Sequence, residues 1–210
     1  MGSVFPEIDD RLREWLLDKP MFFVATAPSG EDGHVNLSPK GGRGMLAVLG
    51  PRELAYVDLF GSGIETVAHL KQNGRIVLMF CSFEGPPMIV RIHGHGEPVE
   101  MADPRFPDLL ARFPLPEEVR TSIRGIIRVD ASRISDSCGF VVPLMNYQGE
   151  RRQLYRTAEA WIGQRGPDAI RDYCDVNNAH SIDGLTGLTP FGGELGDEQR
   201  ARASHEGRKL

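Results

Sequence analysis

Ser38 and Lys40, within Val35-Asn36-Leu37-Ser38-Pro39-Lys40-Gly41-Gly42, are the residues of this chain best suited to hold an anion. A lysine ammonium is a compact point charge for a phosphate, and a serine hydroxyl adds a neutral donor. The glycines that follow free the backbone to bend. On composition alone the same run is also an ordinary polar turn. Downstream, Gly61-Ser62-Gly63-Ile64-Glu65-Thr66 opens a predicted helix. Ser62 and Glu65 have capping-box spacing, in which each side chain satisfies an orphan N–H of the first turn. That helix start also presents free amides and a positive dipole end to an anion, and Thr66 adds a hydroxyl. Converging, the two segments would make a pocket for a phosphate ester with a flat polar ring. The segment is not G-x-x-x-x-G-K-[ST], so triphosphate binding gains no support.

Other chemistry-bearing residues are less ordered. His93 and His95 lie two apart on a predicted strand and so share a side. No third ligand of sensible spacing accompanies them, and no metal site is expected. Cys138, in Asp136-Ser137-Cys138-Gly139, is a candidate thiol whose ordinary reading is packing at a strand end. No nucleophile elbow is present. Arg75, Arg91, Arg124 and Arg128 sit in or near strands, where arginines usually pair or snorkel; one or two facing an anionic ligand is the alternative.

The elements that would position these residues are mostly short strands. Pro6 to Asp18 predicts an amphipathic helix with Ile8, Leu12, Trp15 and Leu16 on one face. Strands are expected over 21–27, 34–37, 45–49, 54–59, 75–83, 88–99 and 125–134, separated by Gly/Pro/Asn/Asp turns. Ile64 to Gln72 predicts a helix that Asn73-Gly74 stops. Ile76-Val77-Leu78-Met79-Phe80 is too uniformly apolar for a strand with a solvated face. The stretch 104–124 carries four prolines and reads as a short helix between loops. Two helices are expected over 150–164 and 167–176. Many short strands around one helix indicate a closed β-barrel rather than a parallel sheet. We therefore expect one mainly β domain over 1–190, with an N-terminal helix and a C-terminal helical annex, and a flexible tail over 191–210.

Bulk properties exclude several classes. The 210 residues suffice for one well-buried domain. A net charge of −5 gives no general attraction to nucleic acid or to an anionic membrane, so any cationic pocket must be local. No apolar run has the length of a membrane span, and no secretory signal is visible. Cys81, Cys138 and Cys174 read as reduced thiols of a cytoplasmic protein.

Several segments, in this order, are similar to the pyridoxamine-5′-phosphate-oxidase-like family of flavin-binding split barrels, in its putative-oxidase branch. They are Gly33-His34-Val35-Asn36-Leu37-Ser38-Pro39-Lys40-Gly41, Leu54-Ala55-Tyr56-Val57-Asp58 with Gly61-Ser62-Gly63 and Thr66, Asn73 to Phe80, and Arg91 to Gly96. Asp136 to Pro143 and Ser181-Ile182-Asp183-Gly184-Leu185 resemble its C-terminal signatures. The resemblance implies a Greek-key-like antiparallel split barrel with C-terminal helices, a homodimer holding FMN at its interface, and oxidoreductase chemistry on a small molecule. It places Lys40 and Ser38 on the phosphate or ribityl chain and Thr66 and Ser62 at the phosphate. Asn36 and the backbone near Pro39 would lie along the isoalloxazine edge, with Ser137 and Cys138 approaching from the partner. Glu65 stands where classical members carry a basic phosphate ligand, and their arginine-and-histidine substrate signature is missing. Flavin binding is thus implied more strongly than vitamin B6 oxidation. Two alternatives stay open: the deazaflavin F420 in place of FMN, and a flavin- or haem-binding module without turnover, with His93 or His95 as axial ligand.

Overall fold

A computed structural model describes residues 2–191. It contains eight strands: β1 Val4–Phe5, β2 Met21–Thr26, β3 Asn36–Gly41, β4 Leu46–Gly50, β5 Glu53–Leu59, β6 Arg75–Cys81, β7 Ile89–Glu100 and β8 Ile123–Ser137. The helices are α1 Asp10–Asp18, α2 Glu65–Asn73, α3 Phe106–Leu110, α4 Glu117–Arg120, α5 Gln153–Arg165 and α6 Ala169–Asn177. All pairings are antiparallel, in the order β3-β2-β6-β7-β8-β5-β4, with β1 added beside β8. The sheet curls into a half-barrel. Its ends, β3 and β4, are not hydrogen-bonded to each other, so the closed barrel expected from strand spacing is open on this side. The tail expected over 191–210 lies, from 192 on, outside the described residues.

Two apolar clusters explain the strand patterns. Phe22 and Val24 of β2, Leu54 and Tyr56 of β5, Ile76, Leu78 and Phe80 of β6, and Val90 and Ile92 of β7 fill the interior of the curl. Phe22 stacks on Phe80 at 5.1 Å between centroids and meets Tyr56 edge-on at 5.5 Å. The alternate residues Ala55 and Val57 face the other way, into a second cluster with Phe106, Phe113, Leu115 and Val119. The proline-rich stretch before β8 therefore has a structural task. Its two short helices cover the outer face of β4, β5 and β8, so β5 is buried on both sides. α1 is capped by Asp9, whose side chain accepts from Leu12 N at 2.8 Å, and it buries Leu12 and Leu16 as its periodicity demands.

Two expectations need correction. The strand placed at 34–37 runs instead over Asn36–Gly41, so Ser38-Pro39-Lys40 is strand and not turn. Phe22 pairs with Lys40, Phe23 with Pro39 and Val24 with Ser38. A proline is tolerated because β3 is an edge with β2 as its only partner among the described residues. The capping box at Ser62 and Glu65 does not form. The N-cap is Ile64, without a side-chain cap bond, and Glu65 accepts instead from Ile182 N at 3.4 Å. The helix end is as read: Gly74 at φ 69° terminates α2, its N–H returning to Leu70 O.

Candidate functional site

Strand alternation fixes which side chains of β3 point inward. Asn36, Ser38 and Lys40 are half-buried and share one face, whereas Leu37, Pro39 and Gly41 are exposed on the other. The inward row crosses the open side of the curl and meets β5 and the approach to α2. Lys40 Nζ lies 2.9 Å from Asp58 Oδ1. The second oxygen of Asp58 takes Arg124 Nε at 2.8 Å. Arg124 reaches onward to Asn178 Oδ1 at 3.0 Å and to Gly61 O at 3.3 Å, and Asn178 Nδ2 donates to Gly61 O at 2.9 Å. Asp58 and Arg124 are 1% and 4% exposed, whereas the Lys40 side chain keeps 21%. One carboxylate faces two cations, which leaves a single positive charge whose accessible end is the Lys40 ammonium. Burial pushes the Asp58 carboxyl up, but Arg124 and Lys40 more than offset this and bring it to about 2. The Arg124 guanidinium, disfavoured by burial, is held protonated by Asp58.

Above this trio lies a cleft of about 390 Å³. Ser38, Lys40, Gly61, Gly63 and Arg124 supply its polar lining, and Phe22, Met45, Val57, Leu59 and Phe60 its apolar walls. The Lys40 segment and the chain entering α2 therefore do converge. A Cβ at Gly61 would meet nothing within 4 Å among the described residues, so the backbone there leaves room beside the cleft.

A second polar chain runs beside the cleft. Ser38 Oγ donates to Asn36 Oδ1 at 3.0 Å, and Asn36 Nδ2 donates to Thr66 Oγ1 at 2.9 Å and to Thr26 Oγ1 at 3.2 Å. Thr26 Oγ1 lies 2.9 Å from Nδ1 of the fully buried His69, whose Nε2 has no hydrogen-bond partner among the described residues. Burial lowers the His69 pKa, which keeps the imidazole neutral. Thr66 is thus turned toward Asn36. Ser62 is exposed and faces a neighbouring groove with His34 and Glu65.

The remaining predicted residues lie elsewhere. Ser137 accepts from an Arg91 guanidinium nitrogen at 2.9 Å and Cys138 is exposed; neither lines the Lys40 cleft of its own chain. His93 and His95 are exposed on β7, and among the described residues no group of three His, Cys, Asp or Glu side chains could hold a metal. No described helix is long and apolar enough to cross a membrane. Sequence reasoning missed Asn178 and His69, and it named Asp58 only within a motif. One signal was available: Asp58 continues the inward row Leu54, Tyr56, and a carboxylate on an interior face requires a cation.

The family model described as pyridoxamine 5′-phosphate oxidase matches residues 8–138. The chain is also 38% identical over 201 residues to the pyridoxamine 5′-phosphate oxidase family protein ustO of Aspergillus flavus, covering 90% of this chain and 78% of that one. The chain belongs to the pyridoxamine 5′-phosphate oxidase family. Among solved structures, this family member is similar to the conserved hypothetical protein Rv2991 from Mycobacterium tuberculosis, with 17% identity, 68% of this chain and 92% of that chain covered, and a TM-score of 0.45. It is also similar to an FMN-binding protein from Syntrophomonas wolfei, with 15% identity, 60% and 88% covered, and a TM-score of 0.42. A FAD-binding protein from Mesorhizobium loti shows 10% identity, 65% and 96% covered, and a TM-score of 0.42.

Proposed function

We propose that the protein is a flavin-dependent oxidoreductase that holds FMN in the Lys40 cleft. The observation that carries this is the partly exposed Lys40 ammonium, fixed by buried Asp58 where β3 meets the start of α2. The donor set suits the group. An ammonium has three N–H donors, and the hydrogen bond to Asp58 uses one of Lys40's. Ser38 adds a hydroxyl, whose one O–H would turn from Asn36 Oδ1 to the ligand, and the apolar walls suit the body of a flat ring. Glu65 places negative charge in the neighbouring groove, which favours the phosphate on the Lys40 side.

In this reading Lys40 and Ser38 bind the phosphate or ribityl chain. Asn36 and the backbone at Pro39 border the ring, with Asn36 oriented by Thr66 and Thr26. Ser62, on the loop before α2, faces the neighbouring groove and not the phosphate. FMN, when bound, supplies hydride or electron transfer, and the protein supplies orientation and electrostatics. The protein acts as a cytoplasmic homodimer, with Ser137 and Cys138 reaching the cofactor of the partner.

The test compares FMN with riboflavin, which lacks the phosphate. Lys40→Ala is expected to weaken FMN by about 1.5–3 kcal/mol, the scale of a hydrogen bond to a charged group, while riboflavin affinity stays constant. A purified protein that is colourless and takes up no added flavin, followed by visible absorption, overturns the reading. Equal losses for both ligands remove Lys40 from the phosphate site. Tight competition by F420 would replace the cofactor assignment.

A further inference from the structure

Two of the sequence segments with family resemblance, Gly33-His34-Val35 and Ser181-Ile182-Asp183-Gly184-Leu185, have no role in the cleft so far, yet the fold joins them. Asp183 grips His34 twice. Its Oδ1 lies 2.6 Å from the ring Nδ1, and its Oδ2 accepts the His34 backbone N–H at 2.9 Å. Asp183 is itself held in a tight turn. Gly184 sits at φ 74° with its N–H on Ser181 O, and Ser181 N donates to Leu185 O, both at 2.9 Å. With Nδ1–H donated to the carboxylate, the lone pair of Nε2 is left as the ring's proton acceptor. The ring stands at the edge of a groove of about 500 Å³ that also includes Asn36, Ser62 and Glu65. This groove adjoins the Lys40 cleft: Gly63 lines both, and Asn36 in one is hydrogen-bonded to Ser38 in the other.

A purely structural latch accounts poorly for the arrangement. The His34 side chain is 70% exposed, and an exposed ion pair adds little to stability. The backbone bond to Oδ2 would tie the segments together without the imidazole. We propose that His34, oriented by Asp183, is a proton-exchanging residue of the cofactor site. Its Nε2 takes a proton from solvent as negative charge enters the adjoining cleft and returns it as that charge leaves. Asp183 is the positioning residue that fixes the tautomer. Of the nearby titratable groups, Glu65 at the start of α2 lines the same groove, His69 lies behind Thr26, and His180 bridges to Thr186 across the Asp183 turn. Glu65 is the carboxylate that shares the groove with His34, and burial lowers the pKa of His69.

The proposal rests on the flavin reading, and its test needs no substrate. The two-electron midpoint potential of FMN-loaded protein is measured against pH by dye equilibration. A residue that takes up a proton on reduction steepens the plot between its oxidised- and reduced-state pKa values, by about 30 mV per pH unit for one extra proton per two electrons. The wild type is expected to show that steeper segment, and His34→Gln to lose it while still taking up FMN. Asp183→Asn, which keeps the ring and removes its negative partner, is expected to move the segment to lower pH. Superimposable plots for wild type and His34→Gln overturn the proposal and leave the flavin reading standing. A protein that takes up no FMN fails earlier, at the absorption spectrum, and removes both.

Discussion

Asp58 sets the character of the site, since one buried carboxylate holds two cations in fixed places. Removing a partner from such a group strands the others in low dielectric. Asp58→Ala should therefore destabilise the fold by about 3–5 kcal/mol, measured by urea unfolding. The pH dependence has a definite sign. The folded carboxyl titrates at about 2, below its ordinary value of 3.8, so its contribution is complete above pH 3.8 and is lost as pH falls toward 2. A depression of that size corresponds to on the order of 2 kcal/mol. Unfolding free energy measured between pH 5 and pH 2 should show this loss in the wild type. In Asp58→Asn, with no carboxyl to titrate, that part of the slope should vanish. An unchanged slope would mean that the carboxylate is not paired in solution. The trio also explains why Lys40 suits an anion although the chain as a whole is acidic. Arg124 borders the cleft, but its hydrogen bonds go to Asp58, Gly61 and Asn178, which leaves Lys40 as the cation with donors to spare.

At the level of elements, the start of α2 is shaped by the segment after α6. Asn178 is fully buried and bridges Arg124 to Gly61. Gly187 is the close approach that allows it: a Cβ there would fall 2.2 Å from Asn178 O and 2.9 Å from an Ile64 side-chain carbon. Gly187→Ala should displace Asn178, cost about 1–3 kcal/mol as overpacking does, and raise hydrogen exchange at residues 178–188 and 61–64 more than in β6 or β7. Uniform exchange changes would disprove that local coupling. This is also where sequence reading stopped. The strands were legible because apolar runs bounded by Gly and Pro carry their own signal. The convergence of Lys40 with the α2 approach followed from motif order, not from local pattern. Ser62 and Glu65 had the right spacing for a cap, but tertiary contact with Ile182 claimed the glutamate. Ser38-Pro39-Lys40 has turn composition, yet edge position let a proline sit in a strand. Asn178 and Asp183 are separated from their partners Gly61 and His34 by 117 and 149 residues, a distance that no window of sequence spans.

On the scale of the whole molecule, the feature that the single chain leaves unexplained is the segment after β8. Phe140, Val141 and Leu144 are 80%, 94% and 81% exposed, and Met145 and Tyr147 are also accessible. Contiguous large apolar side chains are costly to leave in water and mark an association surface. The segment follows directly on Ser137 and Cys138, the residues read to reach a partner's cofactor. A second copy covering it would bury the apolar run and bring those residues to the open side of the neighbouring half-barrel in one step. An isologous pairing does this twice, once for each cofactor. Sedimentation velocity at micromolar concentration should then give a dimer. Val141→Asp combined with Leu144→Asp places two charges in the contact, and should give a folded monomer with unchanged circular dichroism and sharply reduced FMN occupancy. Loss of dimer with full occupancy would separate the association surface from the cofactor site and confine the site to residues of one chain. A wild type that is monomeric with FMN bound would remove the partner's contribution altogether, leaving Lys40, Ser38 and Asn36 as its holders.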